Sequence, residues 1–175
     1  RQPLEVRQLH LLHLPGAGVI REVPGLVALD GELRREFLEL LFLRPAEAGA
    51  DVVKYQSWQA CRLRRDFPEY EATYERHRRT ELSDADHERL IGVCRQYGVE
   101  FLTTCFDVDR VEFLAGLGLK TIKVASPDCG SFRLLDRLME RFEHLIISTG
   151  MAADEEVLKM IERTRGHRVT ILHCV

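Results

Sequence analysis

From residue 50 onward, short apolar runs recur at a steady interval, with stretches of helical spacing between them. Runs at 51–56, 100–104, 121–125, 144–148 and 169–174 read as strands. Helical stretches at 107–117, 131–142 and 153–164 separate the later ones, and Gly118, Gly130 and Gly166 punctuate the turns. The interval is about 20–25 residues, the length of a short βα unit. Strands that are apolar throughout are buried on both faces. That pattern requires a parallel sheet covered by helices, hence an α/β fold.

Between the runs at 51–56 and 100–104 lies one well-marked helix. Ser83 is a good N-cap, and Asp84 and Asp86 suit the positive end of the helix. Leu90, Ile91, Val93, Cys94 and Tyr97 line one face, and Gly98 stops it. Residues 69–79 are charged and read as a loop with a helical piece. The first 49 residues are less regular. Residues 1–14 carry a helical apolar pattern, 18–23 suit a first strand, and 32–48 a first helix with Pro45 awkwardly placed near its end. Six strands result. A complete (β/α)8 TIM barrel needs two further βα units and usually exceeds about 200 residues. The chain starts on Arg1 and stops inside a strand at Val175, so an incomplete barrel of about six βα units is expected.

Chemistry in such folds gathers at the C-terminal ends of the strands. The polar residues there are Lys54 and Gln56; Thr103, Thr104 and Asp107; Lys123, Ser126 and Asp128; Ser148 and Thr149; and His173. A lysine pointing inward from an apolar strand is costly unless paired, so Lys54 and Lys123 are the sharpest signal. With the hydroxyls they suit a phosphorylated or carboxylated anion. Such a site has to be local, because 25 basic against 28 acidic residues leave a net charge of -3 and no general pull toward nucleic acid or membrane. The longest apolar stretches are too short to span a bilayer.

Plainer readings compete at several positions. A strand lysine also snorkels at an edge. Ser148-Thr149-Gly150 also serves as a turn, and Asp107 and Asp109 as caps. His10 and His13 have metal-like spacing without a third ligand, and a terminal segment without metal explains them better. His77 sits in the basic run 76–79, a solvated face that also suits flanking an anionic substrate. Cys105 and Cys174 lack a base partner and read as packing. The five cysteines, with no C-x-x-C, fit free thiols in a reducing cytoplasm.

Six strings occur in order: Lys54-Tyr55-Gln56; Glu81-Leu82-Ser83 with His87; Thr103-Thr104-Cys105-Phe106-Asp107; Ile122-Lys123-Val124-Ala125-Ser126; Ile147-Ser148-Thr149-Gly150-Met151; and Leu172-His173-Cys174. Together, over about residues 46–175, they resemble the N-acetylneuraminate (sialic acid) synthase family, which includes legionaminate, pseudaminate and spore-coat polysaccharide synthases. The resemblance implies a barrel enzyme that condenses phosphoenolpyruvate with N-acetylmannosamine or a related amino sugar. The product is a sialic-type acid, and phosphate is released. It implies a divalent metal, Mn²⁺ or Mg²⁺, and a homodimer at full length. By motif position, Lys54, Thr104, Lys123, Ser126 and Ser148 resemble phosphoenolpyruvate-binding residues, and Gln56 and Asp128 resemble sugar contacts.

The chain also departs from that pattern. The family's strand-one motif, Ala-Glu-Ile-Gly-x-Asn-His, has only Val19-Ile20-Arg21-Glu22-Val23 as counterpart. Glu22 is then the candidate catalytic acid/base, without the Asn-His portion. Gly31-Glu32-Leu33 matches a following Gly-Asp-Leu. Ser126-Pro127-Asp128 replaces Ser-Gly-Glu/Asp. Residues 1–45 either form this first βα unit or stand apart from the fold. The family's metal histidines and its C-terminal antifreeze-like domain are expected beyond Val175, leaving no metal ligand here. Two other functions stay open: a class I aldolase using Lys54 or Lys123 as Schiff base, and an inactive barrel piece that only binds an anion. Open strand edges predict self-association.

Overall fold

The computed structural model of the chain describes residues 11–14, 18–22 and 49–174. Its strands are β1 (Leu11–Leu14), β2 (Gly18–Glu22), β3 (Val52–Ser57), β4 (Glu100–Cys105), β5 (Thr121–Val124), β6 (His144–Ser148) and β7 (Arg168–Leu172). They form one 7-stranded sheet whose spatial order is the chain order. From β2 to β7 every neighbouring pair is parallel. Parallel strands laid down one after another, with helical crossovers, make the wall of a (β/α)8 barrel. Among the described residues β1 and β7 do not pair, so the wall is an open arc.

The start of the chain corrects one expectation. Residues Leu11–Leu14 are not helical. They pair antiparallel with β2, Leu11 opposite Arg21 and Leu14 opposite Gly18. The edge of β2 offers unpaired backbone groups, and Pro15-Gly16 is a dipeptide that favours chain reversal, so pairing wins over a helical spacing only a few residues long. The expected first strand is present as β2. The expected helix at 32–48 lies outside the described residues.

Among the described residues the α-helices are α1 (Tyr70–Thr80), α2 (Asp84–Gln96), α3 (Val111–Gly116), α4 (Phe132–Met139) and α5 (Asp154–Arg163). The charged stretch 69–79 is almost entirely helix rather than loop. Its charges are spaced for it: Glu75 accepts from Arg78 and Arg79, one turn on, and Tyr70 stacks on Tyr74 at 5.7 Å. Helix α2 begins as expected, with Ser83 Oγ accepting from the Asp86 N–H and the Asp86 carboxylate accepting from the Ser83 N–H. Gly98 at φ 68 reverses the chain after it, a conformation that favours glycine. The stretch 107–117 divides into a 3-10 turn, Val108–Arg110, and α3.

Alternation along the strands sorts their side chains between two faces. Val53, Tyr55 and Phe101 pack under α2 with Leu90, Ile91 and Cys94. Cys105, Ile122, Val124, Leu145 and Ile147 pack under α3, α4 and α5 with Leu114, Leu135, Leu138 and Met160. Val52, Leu102, Ile146 and Leu172 form a separate inner cluster. Three of its members are register partners of polar residues: Leu102 of Lys54, Ile146 of Lys123 and Leu172 of Ser148.

Candidate active site

Lys54, Gln56, Thr104, Lys123 and Ser148 alternate with residues of the outer cores. They therefore share the inner face with the apolar cluster of Val52, Leu102, Ile146 and Leu172. Strand register sets their heights. Gln56 lies opposite Thr104 and Thr104 opposite Lys123, one level across three strands. Lys54 is one step below, opposite Leu102, and Ser148 one step above Ile146, the partner of Lys123. All but Gln56, which is half-buried, are buried; Lys54 is 2% exposed and Lys123 7%.

Lys123 Nζ donates to Ser148 Oγ at 2.5 Å and approaches the Val124 carbonyl at 3.4 Å. An ammonium taken from water costs several kcal/mol unless partners replace its hydration. Ser148 is therefore part of the lysine's site rather than merely a turn residue. The turn role falls to Thr149, whose N–H and hydroxyl both donate to the Leu172 carbonyl. Edge snorkelling is ruled out for both lysines by their burial.

Ser126 opens a 3-10 turn, Ser126–Asp128, directly after β5. Both its ends are half-buried at the rim. Burial, with the nearby Asp107 charge adding to it, raises the Asp128 carboxyl from 3.8 to about 6. Burial also raises Asp107, while Arg62 and Arg110 pull it back. Asp107 makes no side-chain cap hydrogen bond, so capping does not explain it; Asp109 forms an ion pair with Arg62.

Other expectations find places too. Glu22 ends β2 in register with Lys54, and its side chain lies outside the described residues. Cys105 is fully buried, and burial pushes its thiol up to about 12, which suits packing and not a nucleophile. All five cysteines are free. His173 is exposed. His77 is not on a solvated face: it is half-buried and its ring lies 5.1 Å from that of Trp58. Among the described residues no helix is long and apolar enough to cross a membrane.

Sequence reasoning missed Trp58, Phe106 and Arg110. Trp58 and Phe106 directly follow β3 and β4, a position that could have flagged them as rim residues. Arg110 is 6% exposed, donates to Ser57 Oγ and to Asp84, and lies 4.1 Å over the Phe113 ring. Its partners are remote in sequence, so no local signal marked it.

Residues 43–175 match the model of the NeuB family. The N,N'-diacetyllegionaminic acid synthase of Legionella pneumophila is 32% identical over 146 residues, which are 73% of this chain and 41% of that protein. The solved spore coat polysaccharide biosynthesis protein SpsE of Bacillus subtilis superposes with a TM-score of 0.70 at 28% identity, over 89% of this chain and 43% of its own. The sialic acid synthetase of Leptospira borgpetersenii shares the fold, with a TM-score of 0.77 at 20% identity over 97% of this chain and 61% of its own. The chain spans less than two thirds of the length of each.

Proposed function

The chain belongs to the NeuB family, and from this premise we propose that it forms part of an enzyme that joins phosphoenolpyruvate to N-acetylmannosamine or a related N-acetylated amino sugar, giving a nonulosonic acid and phosphate. The observation that carries the proposal is the pair of buried lysines, Lys54 and Lys123, on the inner face at the C-terminal strand ends. Ammonium groups held on one inner face at the C-terminal strand ends suit an anion. Phosphoenolpyruvate offers two, a phosphate and a carboxylate, and Thr104, Ser126 and Ser148 supply directional donors beside them.

In the proposed reaction the methylene carbon of phosphoenolpyruvate attacks the aldehyde carbon of the open-chain sugar. The aldehyde oxygen takes up a proton. Water then adds to the enol-derived cation at C2, a proton leaves, and the C2–O bond to phosphate breaks. Lys54 and Lys123 hold the anion fixed through these steps, which converts an encounter into a positioned reaction. In this reading Asp128, whose carboxyl is raised to about 6 by burial and the Asp107 charge, exchanges the sugar's proton, and Gln56 orients its hydroxyls. Glu22 is the second candidate for proton transfer, by its register with Lys54. The resemblance also implies Mn²⁺ or Mg²⁺. Among the described residues no three His, Cys, Asp or Glu side chains gather to hold a metal ion. No step is therefore assigned to one.

The test is product analysis in oxygen-18 water with phosphoenolpyruvate, Mn²⁺ and N-acetylmannosamine. Label in the sugar acid and not in the phosphate is expected. Label in the phosphate alone marks simple hydrolysis and contradicts the proposal.

A further inference from the structure

A cavity of about 200 Å³ lies at the end of the wall opposite the lysines. It is bordered by Glu100 and Thr121, the first residues of β4 and β5. That end is roughly 13 Å along β4 from Thr104. The strands themselves make room for it. β4 and β5 pair at Thr104 with Lys123 and at Cys105 with Val124, near their C-terminal ends, whereas β3 and β4 pair along their whole length. Toward their starts β4 and β5 run on without a ladder between them. Leu117 and Leu119 pack against both outer cores, so the cavity sits in the seam between the layer under α2 and the layer under α3.

Its chemistry has two parts. Ile91, Val99, Phe101, Leu117 and Leu119 give it apolar walls, the first three buried and the two leucines half-buried. Arg95, in the last turn of α2, and Glu100 border the same space and are exposed. Among the described residues Lys120, which also borders it, pairs with Glu143, while Arg95 and Glu100 enter no ion pair. One uncommitted cation and one uncommitted anion thus share an apolar recess without meeting each other.

We propose that this cavity is a second binding site, and that it takes a small zwitterion with an aliphatic side chain, an α-amino acid of about the size of leucine. Arg95 donates to the carboxylate, Glu100 accepts from the ammonium, and the side chain enters the recess. A ligand with one charge answers only one of the two residues. Sites for drug-sized ligands run to roughly 300–1,000 Å³, so the recess admits no more than a small apolar group. The site stands apart from the lysines, and the inference does not depend on what they bind.

Methyl-detected NMR titration of the chain with L-leucine tests it, with isocaproate and isoamylamine as analogues that lack the ammonium and the carboxylate. L-Leucine is expected to shift the methyls of Ile91, Leu117 and Leu119 and to leave those of Ile146, the register partner of Lys123, in place. Arg95→Gln and Glu100→Gln are each expected to weaken it roughly three- to tenfold, since exposure screens both charges, and each analogue to bind wild type more weakly by a similar factor. Both residues are exposed, so the variants keep the fold, which wild-type methyl positions away from the cavity verify. Absence of any shift with millimolar L-leucine overturns the proposal. Wild-type affinity in both variants overturns it as well, because the ligand then sits elsewhere. Isocaproate binding as tightly as L-leucine overturns the amino-acid assignment.

Discussion

Ser148→Ala removes the oxygen that accepts from Lys123 at 2.5 Å, inside a site where Lys123 is 7% and Ser148 4% exposed. Water cannot freely replace it there. A hydrogen bond to a charged group contributes about 1.5–3 kcal/mol, and the substitution removes that contribution. For a chain of this length, each kcal/mol moves Tm by about 2–4 °C. The expected fall is therefore about 3–12 °C, read by circular dichroism. A double-mutant cycle with Lys123→Met isolates the pair. In the Lys123→Met background Ser148→Ala is expected to cost less than about 1 kcal/mol, because Ser148 then has no ammonium to accept from. Adding phosphoenolpyruvate sharpens the contrast: it raises Tm in wild type and raises it less in Ser148→Ala. Additive effects within about 0.5 kcal/mol would refute the coupling and the idea that Ser148 solvates the lysine.

Three further outcomes follow from particular contacts. Burial, then the Arg110 charge, lowers His87 below 6.5, so the unfolded chain takes up a proton there more readily than the folded one. Stability is then lost as pH falls from about 6.5 through the depressed folded value, and His87→Gln flattens that limb of a Tm-against-pH curve. Asp128 shifts the other way, from 3.8 to about 6, so its ionisation removes stability as pH rises through that window; Asp107→Asn should bring the folded value down, seen by carboxyl-carbon NMR titration. A Cβ at Gly150 would meet Cys174 Cβ at 2.7 Å and its carbonyl oxygen at 2.8 Å, so Gly150→Ala displaces backbone and should cost about 1–3 kcal/mol in urea unfolding.

The strands from β3 onward and the helix α2 were legible because their signals are local. Ser83, Asp86 and Gly98 sit within the helix they delimit, and the apolar runs need no distant partner to be seen. Lys54 and Lys123 were legible for the opposite reason: a charge inside an apolar run contradicts its surroundings and calls for a site. What stayed hidden depends on contacts that folding creates. The strand Leu11–Leu14 exists by pairing with β2, and four residues are too few to separate a period of two from one of 3.6. His77 reads as solvated from its arginine neighbours, yet Trp58, 19 residues away, covers it. The proton affinity of Asp128 needs Asp107 beside it and the burial of both, neither of which is written in Ser126-Pro127-Asp128.

The central claim is that the two buried lysines make one anion site. Calorimetric titration of phosphoenolpyruvate into wild type, Lys54→Met and Lys123→Met tests it most directly. Each charge-assisted contact is worth about 1.5–3 kcal/mol, so each substitution is expected to weaken binding roughly 10- to 100-fold while circular dichroism shows a folded chain. Unchanged affinity in both variants would contradict the claim and place the anion elsewhere.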